Sequence, residues 1–122
     1  MIIVGSNLKC ADNSGCKRAK CIGLLKNKNV ADVGDIIVIS VKKVSSRFSK
    51  VVKGKVYRAV VVRVKKKRFS SYDGTFIMSN ENAVVILGSA GDIIGTRVFG
   101  PVSRTLKKNN FSKILSLSLE VV

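Results

Sequence analysis

The chain has 122 residues and a mass of 13.2 kDa, the size of one domain, and its 46% hydrophobic content excludes a disordered polyelectrolyte. Its 23 Lys and Arg against 7 Asp and Glu leave a formal charge of +16, which calls for an anionic partner. The lack of any His removes the side chain most used for proton transfer near neutral pH and excludes Ser-His and Cys-His pairs, so no enzyme is expected.

No uncharged apolar run approaches the roughly 18–20 residues of a membrane-spanning helix, and residues 1–4 are too short for a secretory core. Nucleic acid is therefore the expected polyanion. Cys10, Cys16 and Cys21 are odd in number and lack paired spacing, so reduced structural thiols are expected, with no metal and no cofactor.

In chain order, residues 1–8 form a short apolar segment broken by Gly5, Ser6 and Asn7, a first strand or an arm joining the sheet. Asp12-Asn13-Ser14-Gly15 is a strong turn signal, because short polar side chains bond local backbone and glycine tolerates positive φ. Residues 16–25 alternate, with Cys16, Arg18, Lys20 and Ile22 opposed to Lys17, Ala19, Cys21 and Gly23. Lys17, Arg18 and Lys20 would project from this strand. After a polar loop, residues 36–41 are almost wholly β-branched and read as a strand. Residues 42–55 read as a Ser-rich loop carrying Lys42, Lys43, Arg47, Lys50, Lys53 and Lys55 around Phe48.

The central stretch, residues 53–68, places Val56, Val60, Val62 and Val64 on one side of an extended backbone and Tyr57, Ala59 and Val61 on the other. A strand buried on both faces would thus run directly into Lys65, Lys66, Lys67 and Arg68, with Arg58 and Arg63 along it. Asp73-Gly74 marks a hairpin turn, residues 83–87 the next apolar strand, and residues 88–95 a glycine-punctuated loop. The sole proline, Pro101, is expected to end regular structure. Beyond it, Phe111, Ile114 and Leu115 have the spacing of short helical turns, while Leu117, Leu119 and Val121 could instead alternate in an extended tail.

Five or six short strands in one domain, residues 1–122, suggest a mainly β fold. A small closed or nearly closed barrel would occupy about residues 1–102, with a minor helical appendage in about 103–122. The cations cluster at 17–20, 42–55, 63–68 and 104–113, where self-repulsion would be a standing cost without an anion. The acidic residues fall mostly at turns, and Gly88-Ser89-Ala90-Gly91 lacks the ending of a phosphate loop. Sixteen Lys against seven Arg favour phosphate contacts over bidentate base reading, and no duplex-reading motif occurs, so shape-based RNA binding fits best. Phe48, Phe69 and Tyr72 sit in or beside basic clusters, either as stacking platforms or as core anchors.

Seven collinear stretches resemble the universal large-subunit ribosomal protein fourteen family, in its bacterial and organellar type. They are Ala11-Asp12-Asn13-Ser14-Gly15; Val33-Gly34-Asp35-Ile36-Ile37; Lys53-Gly54 with Ala59-Val60-Val61-Val62-Arg63; Asp73-Gly74; Asn82-Ala83-Val84-Val85; Gly95-Thr96-Arg97-Val98-Phe99-Gly100-Pro101-Val102; and the ending from Phe111 to Val121. The resemblance implies a five-stranded β-barrel with short C-terminal helices, a non-catalytic constituent of the large subunit that binds its rRNA and contributes to bridges with small-subunit rRNA. It implies rRNA contacts at Lys17, Arg18, Lys20, Lys42, Lys43, Arg63, Lys65, Lys66, Lys67 and Arg68. It further implies bridge contacts at Arg47, Phe48, Lys50 and Lys53, and protein contacts at Arg97, Phe99, Arg104, Lys107 and Lys108. The implied neighbours are ribosomal proteins three and nineteen and a ribosome-silencing factor.

Departures from the family pattern include Ser46-Arg47-Phe48 in place of Pro-Arg-Gly, Ser79 in place of an aromatic, and Leu119 in place of Pro. Together with the Lys, Asn, Ser and Ile bias they point to an organelle-encoded, mitochondrial member rather than a bacterial one. A free-standing RNA-binding or translation-regulatory barrel has the same electrostatics and is the competing expectation.

Overall fold

The computed structural model describes residues 2–25, 29–45, 50–65, 68–69, 76–77, 81–102, 106 and 112–121. The strands are β1 (Asn7–Cys10), β2 (Cys16–Leu24), β3 (Ile36–Val44), β4 (Val56–Arg63), β5 (Arg68–Phe69), β6 (Phe76–Ile77), β7 (Ala83–Leu87), β8 (Val98–Val102) and β9 (Ser118–Val121). One short helix, α1 (Ser112–Leu117), precedes β9. The order β1-β2-β3-β4-β7 closes on itself as a five-stranded barrel, so none of these strands keeps an open edge. The seam is β7, antiparallel to β4 and parallel to β1, with Lys9 opposite Ala83 and Cys10 opposite Val84.

β-Branched residues fill the interior because their stiff side chains suit a pleated surface. Val60 faces Val85 and Val61 faces Val84 across the β4–β7 ladder, and all four are fully buried. Each such side chain contributes about 1.5–3 kcal/mol relative to exposure. β4 is buried on both faces from Ala59 to Arg63, as its composition predicts, but its first half is not: Val56 is 52% exposed. Val98, Val102, Leu106 and Ile114 join the same buried cluster, tying the C-terminal segment to the barrel.

The structure corrects four expectations. β2 does not alternate cleanly: a register shift between Cys16 and Arg18 leaves Lys17 and Arg18 exposed in succession and turns Cys16 inward with Ala19 and Cys21. β3 continues through Lys42 and Lys43, which therefore end a strand rather than begin a loop. Pro101 lies within β8, whose parallel register to β9 is irregular between Val98 and Pro101, a position where a missing N–H is tolerated. Cys10 and Cys16 form a disulfide, with Cα atoms 5.8 Å apart, while Cys21 stays free and buried.

Other expectations hold in part. Ile2 pairs with Ala31 as an arm and β1 begins only at Asn7. β5 and β6 pair Arg68 with Ile77 and Phe69 with Phe76, as the hairpin reading requires, although its turn at residues 70–75 lies outside the described residues. Both C-terminal readings apply, the helix to residues 112–117 and the extended tail to 118–121.

Candidate nucleic-acid interface

The register of three strands builds a row of cations at one end of the barrel. Lys9 on β1 lies opposite Arg18 on β2, and Arg18 lies opposite Lys43 on β3. Adjacent strands are about 4.8 Å apart, so the row spans roughly 10 Å. Like charges directly opposite one another are unfavourable, a cost that a bound anion offsets. Lys17 is added because the irregularity at the start of β2 exposes two successive residues. Lys65 arrives from the end of β4, where its backbone N–H donates to Asn82 Oδ1 at 2.7 Å.

These five cations line an open groove of about 940 Å³, with Asn7, Asn13, Ser45, Asn82 and Phe99 among the other walls. The carboxylates on it, among the described residues, are Asp12 and Glu81, and Asp12 is buried beneath the surface. Glu81 lies 3.4 Å from Lys9 and 3.1 Å from Arg63, so it is shared between a groove cation and an interior one.

The Asp12 turn ties the groove together. Its carboxylate accepts from the Ser14 hydroxyl at 2.7 Å and from the Ile86 amide at 3.1 Å. Burial pushes the Asp12 carboxyl above its ordinary range, opposed by those hydrogen bonds. Asn13 Oδ1 accepts from the amides of Thr96 and Arg97, while the carbonyls of Ser14 and Gly15 accept from Lys50 and Ser45. Gly15 holds φ at +99°, a value that side chains resist. One short turn therefore fixes two other segments around the cations, the one between β3 and β4 and the approach to β8, and ties them to β7.

Arg63 differs from its expected role. It is only 8% exposed, and its Nη1 donates to the carbonyls of Phe99 at 2.9 Å and Pro101 at 3.2 Å, while Nη2 meets Glu81. It latches the C-terminal segment to the barrel rather than offering charge to a partner. Gly100, at φ +79°, is matched to it, because a Cβ there would collide with the guanidinium.

Of the residues expected to face RNA, Lys17, Arg18, Lys43 and Lys65 share the groove. Lys20 and Lys42 are exposed beside it on β2 and β3. Lys50 and Lys53 are exposed on the segment between β3 and β4, and Arg97 is exposed on the approach to β8. Phe99, 51% exposed, stands at the groove wall rather than apart from it. Arg47, Phe48, Lys66, Lys67, Arg104, Lys107 and Lys108 lie outside the described residues, and Arg68 is described only as part of β5. Sequence reasoning missed Lys9, although its alternation with Leu8 and Cys10 marks it as outward. Glu81 and Asn82 carry no local signal, since only the closed seam brings them to the cations.

A small closed barrel with a row of cations at one end, on which the described carboxylates fall well short of the cations, defines a class by its chemistry: a basic β-barrel whose groove suits a polyanion. The chain belongs to the family described as ribosomal protein L14p/L23e, whose model matches residues 1–122. It is thus a ribosomal protein of the large subunit, in a family whose role is structural.

Proposed function

We propose that this chain binds large-subunit rRNA through the groove and helps bridge to small-subunit rRNA through the segment between β3 and β4, with no catalytic role. The observation that carries the reading is the cross-strand row of Lys9, Arg18 and Lys43, three cations forced together by strand register. Lys17 and Lys65 extend it, and lysine-rich contacts of this kind grip phosphate without reading bases. The exposed Lys50 and Lys53 support the bridge assignment. The exposed Arg97 and Phe99, beside the pairing of β8 with β9, support contact with neighbouring ribosomal proteins of families three and nineteen and with a silencing factor. The drifted motifs and the Lys, Asn and Ile bias support a mitochondrial ribosome.

The test is the salt dependence of binding to large-subunit rRNA fragments. Changing Lys17, Arg18, Lys43 and Lys65 to Ala one at a time lowers the slope of log affinity against log salt by about 0.7–0.9 for each phosphate no longer neutralised. Unchanged slopes in all four variants would leave the groove merely solvated and overturn the reading. Sedimentation supplies a second check: one copy per large subunit is expected, whereas sub-stoichiometric, exchanging association would favour a free-standing RNA-binding module.

A further inference from the structure

The disulfide occupies an informative place. Cys10 ends β1, Cys16 begins β2, and the bond between them spans the turn that holds Asp12, Asn13, Ser14 and Gly15. Both residues line the cationic groove, so their small remaining exposure, 7% and 5%, opens onto the surface that carries Lys9 and Arg18. Cys21, fully buried, lies away from it. The Cys16 sulfur also lies 3.5 Å from the Arg18 carbonyl oxygen, so an opened bond leaves a thiol with an acceptor already in place. The site thus satisfies both the bonded and the open form.

We propose that Cys10 and Cys16 are a reversible thiol–disulfide pair whose bonded form orders the turn and tightens the groove for RNA. The inference rests on the reading of the groove as an RNA site. The turn bonded across by the pair is the one whose carbonyls and Asn13 side chain hold Ser45, Lys50, Thr96 and Arg97. Cross-linking its two ends limits the excursions of those loops and of Lys9, Lys17 and Arg18 at its flanks. RNA and the bond therefore favour each other: the bond presents the cations already ordered, so RNA binds the bonded form more tightly and by that difference holds the pair closed.

The exchange partner is a low-molecular-weight anionic thiol, which five groove cations attract. Its thiolate bonds to one sulfur, the S–S bond breaks with its electron pair leaving on the other, and a second thiolate releases the mixed disulfide. The protein pair gains two electrons and two protons, and two small thiols become one small disulfide. The same small disulfide, run in reverse, closes the bond.

The experiment uses the full chain, poised in buffers of reduced and oxidised glutathione, with an end-labelled A-form RNA hairpin as probe. The bonded form is expected to bind about fivefold or more tightly than the open form, the low end of measured couplings between sites. By the same linkage, saturating hairpin is expected to raise by the same factor the ratio of squared reduced to oxidised glutathione at which half of the Cys10–Cys16 pair is open, read by alkylation after an acid quench. Cys21, whose thiol burial pushes up and away from the thiolate, serves as the unreactive internal control. The double variant Cys10→Ala with Cys16→Ala keeps both positions small and apolar, and is expected to bind like the open form whatever the buffer. Equal affinity of folded bonded and open forms overturns this inference alone, as does a pair that stays fully alkylatable in oxidised buffer. If neither form binds the hairpin, the RNA reading of the groove falls and takes this inference with it.

Discussion

Replacing Arg63 with Met separates a structural latch from a phosphate contact. The substitution keeps the apolar stem of the side chain but removes its guanidinium and with it three hydrogen bonds, two to the carbonyls of Phe99 and Pro101 and one to Glu81. Hydrogen bonds to charged groups contribute about 1.5–3 kcal/mol each. Two features reduce the sum: Nε is buried without a partner, and Glu81 is 38% exposed and keeps Lys9 as a neighbour. A net loss of about 3 kcal/mol is expected. Unfolding 122 residues at about 2.1 cal/mol/K per residue gives an entropy near 250 cal/mol/K, so Tm falls by about 12 °C. Calorimetry or circular dichroism reads that fall, and RNA titrations at several salt concentrations read the other half. The salt slope should not change, since the guanidinium faces inward. A Tm loss under about 3 °C, or a slope reduced by about 0.7–0.9, would refute the latch and restore Arg63 as a phosphate contact.

Asp12 gives a prediction in pH. Burial raises its folded-state pKa above the ordinary 3.8, so the folded protein holds this proton more tightly than the unfolded chain does. The stability it contributes is full below 3.8 and declines as pH rises from there through the raised value. Urea unfolding across that window should show the stability of wild type relative to Asp12→Asn falling with pH; a constant difference would contradict the shift. Ile86→Ala, at a fully buried position on the seam strand, should cost about 2–5 kcal/mol in the same assay. Opening the disulfide, which joins residues six apart, should cost about 2 kcal/mol from the loop freed in the unfolded chain, read as a lower urea midpoint in reductant.

The barrel itself was legible because two of its walls are continuous β-branched apolar runs bounded by turn signals. Residues 83–87 and the second half of β4 are apolar on both faces, and only a strand covered on both sides tolerates that pattern. The groove was half legible. Lys17, Arg18, Lys43 and Lys65 stand in visible charge runs, whereas Lys9 is a lone cation set opposite Arg18 by the β1–β2 register and Glu81 reaches Lys9 only through the pairing of β1 with the distant β7. The disulfide was hidden for another reason: three cysteines without paired spacing suggest free thiols, and strict alternation puts Cys16 on the face of Arg18, which one register shift reverses. Arg63 was misread because a cation in a basic stretch looks exposed, and nothing local announces the carbonyls of Phe99 and Pro101 waiting 36 and 38 residues later. Pro101 was expected to stop a strand because its missing donor matters in a regular ladder, but β8 pairs irregularly at that point.

The parallel seam between β1 and β7 also makes closure the most non-local pairing of the barrel: β1 to β4 pair with their neighbours in sequence, and β1 and β4 would be free edges in any form that lacked residues 83–87. Such a form would be an open, strongly β-forming sheet, the kind of surface that recruits other strands. Exposed lysines beside those edges would act as gatekeepers, repelling a second copy. The charge that would grip RNA in the finished particle would thus also protect an unclosed chain.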